Sequence, residues 1–335
     1  MKTLKKIGLA LAAVLVFTLS FYFFGWETGV VMAGVTVAAS QLKNQLAEQE
    51  LLKNLRHEHS WVAEIRSRDN WVNNDAIKIP KRGEAPKVLI DNTVYPIVSN
   101  KRDDSHVIVS LHKFDTENTE VTEDELYAMP YEKVSDVQVQ HRETLEDTTR
   151  EFGLHALAPL EADETENLFI LETTGDDDGT GRKKLTTKDL RSLQEKMNKA
   201  GISKRGRVLV LSDDHVSDLL EEDRKFYTQY HNHTEGRISG KYYGFIVYED
   251  STTPEYKKEA GKWEKLPFGS ATAGVVSSVV FHKGSTAKAS GTVQRFIRAA
   301  SADPENRKNT IGFRLWHIIV AYGVEGSAAI VSGQA

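Results

Sequence analysis

Between residues 133 and 158, apolar and aromatic positions return every three or four residues. Val134, Val137, His141, Leu145, Thr148, Phe152 and His155 form a narrow seam, with Glu143, Asp147 and Arg150 on the opposite side. That period predicts an amphipathic α-helix of about seven turns at 3.6 residues per turn. Pro130 before it and Pro159 after it stand where helices end. A second helical pattern covers residues 41–68, with Leu42, Leu46, Leu52, Leu55, Val62 and Ile65 separated by charged residues. A third covers residues 187–200. There Thr186 and Asp189 have the spacing of a capping box, Leu190, Leu193 and Met197 form the stripe, and Gly201 stands at the stop.

Other stretches read as strands. Residues 206–211, apolar from Val208 to Leu211, read as a buried strand, and Ser212 then opens a helix over about 213–222. Residues 236–248, 275–282, 310–322 and 327–331 are further strand candidates, with Gly240 and Gly244 as bends or bulges. Residues 73–99 contain short β-prone pieces broken by Pro80, Pro86 and Pro96. Proline removes a ladder donor, so these pieces are expected at an edge or in an extended arm. Residues 107–114 form a strand, residues 115–119 a polar tip, and residues 120–127 a charged returning limb. Together they predict a β-hairpin with little apolar cover of its own. Residues 163–184 read as a loop around Gly175-Asp176-Asp177-Asp178-Gly179-Thr180-Gly181. The sum is an α+β chain without internal repeats.

Residues 1–40 differ from the rest. Lys2, Lys5 and Lys6 precede a charge-free run from Ile7 to Trp26, and small residues follow. This is the layout of a secretory signal, and the run is just long enough to span a bilayer as a helix. Two readings stand: a signal peptide or membrane anchor, and a hydrophobic extension buried in an assembly or removed during maturation.

Composition narrows the function. With 335 residues, 40% hydrophobic and 27% charged, the chain can bury a substantial core. The net charge is −5. A dedicated nucleic-acid binder needs a concentrated positive field, so contact with DNA is expected to be weak and nonspecific. The absence of cysteine excludes disulfides, thiolate nucleophiles and thiolate zinc sites.

The motifs that could carry chemistry fall short of their patterns. Counted as a calcium loop from Asp176, oxygen ligands fall at Asp178 and Thr180 and glycine at Gly181, but position 12 is Thr187 where a bidentate Glu is needed. Gly179-Thr180-Gly181-Arg182-Lys183-Lys184 lacks phosphate-loop spacing. His57-Glu58-His59 and His231-Asn232-His233 each offer two imidazoles without an evident third ligand. No Gly-x-Ser-x-Gly elbow and no His-Glu-x-x-His helix occurs. The expectation is no catalytic site, no cofactor and no metal.

The order of parts is distinctive: N-terminal extension, proline-broken arm, projecting hairpin, long helix, then an α+β body. It resembles the major capsid proteins of tailed bacteriophages (Caudoviricetes), the Hong Kong ninety-seven capsid fold shared with encapsulins. The local text that carries the resemblance runs from Lys204 to Leu220 and resembles that family's strand-then-helix step into the A domain. The glycine-punctuated strand from Gly236 to Tyr248, Val279-Val280-Phe281-His282-Lys283 and Ser327-Ala328-Ala329-Ile330-Val331 also fit. The likeness covers about residue 71 to the C-terminus.

The hydrophobic segment at 1–40 departs from that family's pattern; after it, the resemblance implies an N-terminal helix and extended arm at 41–104 and an E-loop hairpin at 105–130. The spine helix with the P and A domains would fill 131–335, the A domain about 205–270. It implies a structural protein, not an enzyme, that self-assembles through hexamers and pentamers into an icosahedral shell around a double-stranded DNA genome. Portal and scaffold or maturation factors would be partners. The chain would reside in the virion capsid, and in the host cytoplasm during assembly. Subunit contacts would come from Lys113, Phe114, Leu126 and Tyr127 on the hairpin and from Val88, Ile90 and Tyr95 on the arm. In some relatives a hairpin lysine cross-links to a neighbour's asparagine, and Lys113 would be the donor. The alternative from residues 1–40 is a membrane-anchored or exported protein with an extracytoplasmic α+β domain.

Overall fold

Residues Arg207–Leu211 are buried on both faces, and the largest sheet is organised around them. The computed structural model describes residues 60–73, 76–81, 105–122, 133–163, 167–231, 237–270, 274–303, 305–322 and 326–334, with single residues at 93, 165 and 272. All lie within one compact unit, Asn54–Ala335.

In chain order the strands are β1 (Arg66–Ser67), β2 (Val72–Asn73), β3 (Ala76–Lys81), β4 (Ser105–Ser110), β5 (His112–Asp115) and β6 (Thr119–Thr122). The helix α1 (Lys133–Leu157) follows, then β7 (Phe169–Glu172), α2 (Thr187–Lys199), β8 (Arg207–Leu211), α3 (Asp213–Glu222) and α4 (Arg224–His231). The rest is β9 (Arg237–Tyr242), β10 (Phe245–Glu249), β11 (Glu255–Glu259), β12 (Lys262–Lys265), β13 (Val275–His282), β14 (Thr286–Arg298), β15 (Lys308–Ala321) and β16 (Ala328–Val331).

The main sheet runs β9-β10-β8-β13-β16-β7, and the β11–β12 hairpin joins the start of β13. Its two faces meet different partners because side chains alternate along a strand. Leu209, Leu211, Phe245, Val247 and Val280 face a core that includes Leu190, Leu193 and Met197 of α2 and Val216 and Leu219 of α3. Val208, Val210, Ile246, Val279 and Phe281 face the other way, onto Trp61, Val62, Ile65 and the end of α1 at Leu154 and Leu157. Double cover explains why β8 is apolar without a break from Val208 to Leu211.

Several elements stand where the pattern placed them. The helix over 133–158 is α1, and Val137, His141 and Leu145 of its seam are buried. The Thr186–Asp189 capping box is present, and Gly201 has φ +72° where α2 stops. Gly244 takes φ +84° in the β9–β10 turn. Ser212 stands at the start of α3, yet its side chain caps nothing.

Three expectations are corrected. Residues 60–68 are not helical: Ser60 opens a short 3-10 turn, Trp61–Glu64, and β1 follows. The turn lets Trp61, Val62 and Ile65 all enter one core, with the Trp61 indole donating to Asp250 at 2.9 Å. The supposed loop at 163–184 contains β7, which pairs parallel with β16.

The third correction concerns the hairpin. The limb at 107–114 does not pair with 120–122. β5 and β6 instead lie one after the other, antiparallel, on β15, from His112 opposite His317 to Thr122 opposite Lys308. Residues 112–122 therefore form one edge strand with a break at 116–118. Thr116 seals the break by exchanging backbone and side-chain bonds with Phe313. A side chain at Gly312 would sit 2.3 Å from Asn118 Oδ1, so glycine there leaves room for the break. The hairpin limbs are β3 and β4, paired antiparallel from Ala76–Ser110 to Lys81–Ser105. Two-residue β2 pairs with only the start of β3, and Pro80 lies beyond that pairing, opposite His106 of β4.

Candidate assembly surfaces

The long helix lies along β15. His141 meets Phe313 at 5.6 Å between ring centroids, and Gly153 meets Ile319 twelve residues later. Twelve residues of helix and six of strand both span roughly 20 Å, so helix and strand run alongside each other in the same direction. At Gly153 the approach is close enough that a Cβ would stand 2.4 Å from Ile319 Cδ1.

The helix end is held from outside. Lys265 Nζ donates to the carbonyls of His155 and Ala158, each at 2.7 Å, and His155 Nε2 donates to Leu266 O at 2.8 Å. A lysine at the carbonyl end satisfies acceptors the helix leaves open. Burial pushes the Lys265 ammonium down to about 8 and also lowers His155.

Beside this end, Phe152 carries His112, Phe114 and Phe268 edge-on, at centroid distances of 4.7, 5.7 and 5.1 Å. Phe114 thus packs within its own subunit. Lys113 lies opposite Trp316 in the sheet, its ammonium 3.2 Å from Asp115. Asp115 also takes Arg314 at 2.5 and 3.1 Å, and this pairing holds its carboxyl below the ordinary range. Lys113 therefore sits in the subunit's own ion-paired sheet and not on the projecting hairpin. Val88, Ile90, Tyr95, Leu126 and Tyr127 lie outside the described residues, as do His57, His59 and His233.

The acidic loop is built, not loose. Asp177 Oδ1 accepts the Gly179 and Gly181 amides, and Asp178 accepts Thr180 and Arg182. Arg182 then reaches Asp218 on α3 through two bonds of 2.7 and 2.8 Å. These carboxylates are occupied by the protein's own donors. Among the described residues no cluster of three or more histidines and carboxylates is placed to hold a metal ion.

Large apolar side chains reach the surface elsewhere. Ile108 on β4 is 58% exposed, and Phe296 and Ile297 near the end of β14 are 47% and 41% exposed. The sequence carried a signal for Ile108. In residues 106–111, Val109 and Leu111 alternate with His106, Ile108 and Ser110, so Ile108 falls on the polar side.

No protein family and no curated protein matches the sequence. Solved structures do match in three dimensions. The capsid of Ralstonia phage GP4 superposes with a TM-score of 0.60, covering 81% of this chain and 87% of that one at 6% identity. The fold is that of phage capsid proteins. The capsid structure of Cyanophage P-SCSP1u gives 0.55, covering 81% and 86% at 12% identity. A virus-like particle from Pyrococcus furiosus gives 0.52, covering 86% and 99% at 9% identity. The capsid fold expected from the order of elements is thus the fold found. In its terms α1 is the spine helix.

Proposed function

We propose that this chain is the repeating subunit of a closed icosahedral shell, the major capsid protein of a tailed phage. The observation that carries the reading is the superposition on capsid proteins over 81% of this chain and 86–87% of theirs. Its role is structural, not catalytic. The main sheet, covered on both faces, supplies a rigid body, and the β3–β4 hairpin, with residues 82–104 between its limbs, supplies the arm that lies across the next subunit. Repeated contacts of this kind close under symmetry, and each can be weak because closure multiplies modest affinities.

The shell encloses double-stranded DNA without tight phosphate contact, which suits a net charge of −5. Portal and scaffold or maturation factors complete the particle, assembled in the host cytoplasm. Among the described residues no helix is long and apolar enough to cross a membrane.

The test is negative-stain electron microscopy of the full chain after a sizing column. Closed shells or capsomer rings are expected. A variant with residues 84–102 replaced by a short Gly-Ser turn is expected to fold and to give no shells. Detergent-dependent monomers from the full chain, and from a chain lacking residues 1–40, would overturn the reading in favour of membrane attachment. Shells that hold protein and no DNA when made in an infected host would point to a cargo compartment.

A further inference from the structure

We propose that the seam between the spine helix α1 and β15 is an acid-sensitive latch, with His141 as its titrating group. His141 lies near the middle of α1 and is 7% exposed. Its ring rests on Phe313, and its Nε2 is buried with no hydrogen-bond partner among the described residues. Val137 and Leu145, one turn away on either side, are buried, as is Val121 on β6. A neutral imidazole is at home there as an aromatic surface.

Protonation changes that. It adds a second N–H without an acceptor and a charge without a counter-ion. Either is costly in an apolar site.

Charged groups stand on the elements around the seam, and Arg295 of β14, half-buried opposite Phe313 in the sheet, already has interactions of its own. On β6, Glu120 binds Lys308 of β15. On β5, Asp115 takes both Lys113 and Arg314 of β15. On α1 itself, Glu143 and Asp147 are exposed, and Arg142 and Glu146 are half-buried. Burial alone draws the His141 pKa below 6.5, with no charged neighbour contributing.

The other histidines on the seam are anchored or exposed. His155 donates to Leu266 O, a bond that survives protonation; His317, as buried as His141, differs in that its Nδ1 is bonded to Ser290 Oγ and it has further interactions. His112 is exposed. The direct relief for a charged His141 is for this part of α1 to leave β15.

The sign is fixed by linkage. His141 is neutral while the seam is closed and protonates near its ordinary value once the seam opens. The opening constant then rises by up to about tenfold per pH unit below 6.5, until the closed state also takes up the proton.

Hydrogen-exchange mass spectrometry of the unassembled full chain tests this, with rates normalised to intrinsic exchange at each pH. In wild type, protection of peptides from 134–150 is expected to fall steeply between about pH 7 and about pH 5. His141→Phe keeps the ring and removes the titration, so most of that pH dependence is expected to vanish there while β8 peptides behave alike in both proteins. If His141→Phe does not fold by circular dichroism, His141→Leu replaces it. His155→Gln is expected to retain the fall. An unchanged pH dependence in the His141 variant, no fall in wild type, or a difference shared equally by β8 overturns the latch. The measurement does not require shells, so its outcome is independent of the assembly reading.

Discussion

The main sheet and the β3–β4 hairpin use strands for opposite ends. In the sheet, β8 is buried throughout, between α2 and α3 on one face and Trp61, Val62 and α1 on the other. In the hairpin, Ile77 and Ile79 face a small core with Leu111 and Ile318, while Ile108 stands 58% exposed. One region satisfies itself, and the other presents apolar surface that a lone subunit does not cover. Stability and assembly are therefore separable, and substitutions in the two regions are expected to fail in different ways.

The largest effect is expected at Asp218, whose carboxylate is 4% exposed and takes both Arg182 nitrogens and the Leu185 amide. Asp218→Ala leaves the guanidinium without its main partner and is expected to cost about 3–5 kcal/mol in urea unfolding. Acid should act next on the same region. His215 is fully buried, bonded to Ser278 Oγ at 2.6 Å and Ser332 Oγ at 2.9 Å, and burial pushes it down to about 4. A histidine lowered on folding contributes stability above its unfolded value of 6.5 that is lost as pH falls toward 4. The loss is about 3 kcal/mol by linkage, and urea midpoints across that window measure it.

At the join between body and spine, Gly153→Ala would press a methyl into Ile319 Cδ1. A cost of about 1–3 kcal/mol is expected, with partial rescue by Ile319→Val, which removes that carbon. A double-mutant cycle reads the coupling. On the hairpin, Ile108→Ser is expected to change subunit stability by less than about 0.5 kcal/mol while reducing shell yield by electron microscopy. Normal shells from that variant would break the contrast between the regions.

Local pattern revealed much of this. The spine helix, the capping box at Thr186, β8 and the late strands β13, β15 and β16 were readable because each has a strong period or a strong terminator. The long strand β14, the β11–β12 hairpin and α4 were not. Their burial is mixed or slight, with Tyr256 and Trp263 the buried residues of a charged hairpin. The candidate site was less legible. Lys113 and Phe114 belong to the subunit's own sheet, while Ile108, Phe296 and Ile297 are, with Leu160, Tyr227 and Phe268, the exposed large apolar side chains among the described residues.

The sequence by itself determined several of the helices and strands, that the chain is α+β, and the order of parts that points to a capsid fold. These follow from side-chain periodicity and from proline and glycine, which act within a few residues. Only the tertiary structure decided which strand pairs with which. Residues 107–127 were expected to turn back on themselves, yet 112–122 pair with β15, nearly two hundred residues later, which offers a longer edge and a sheet already backed by α1. Pairing is chosen by what lies on the other face, and no local pattern carries that information.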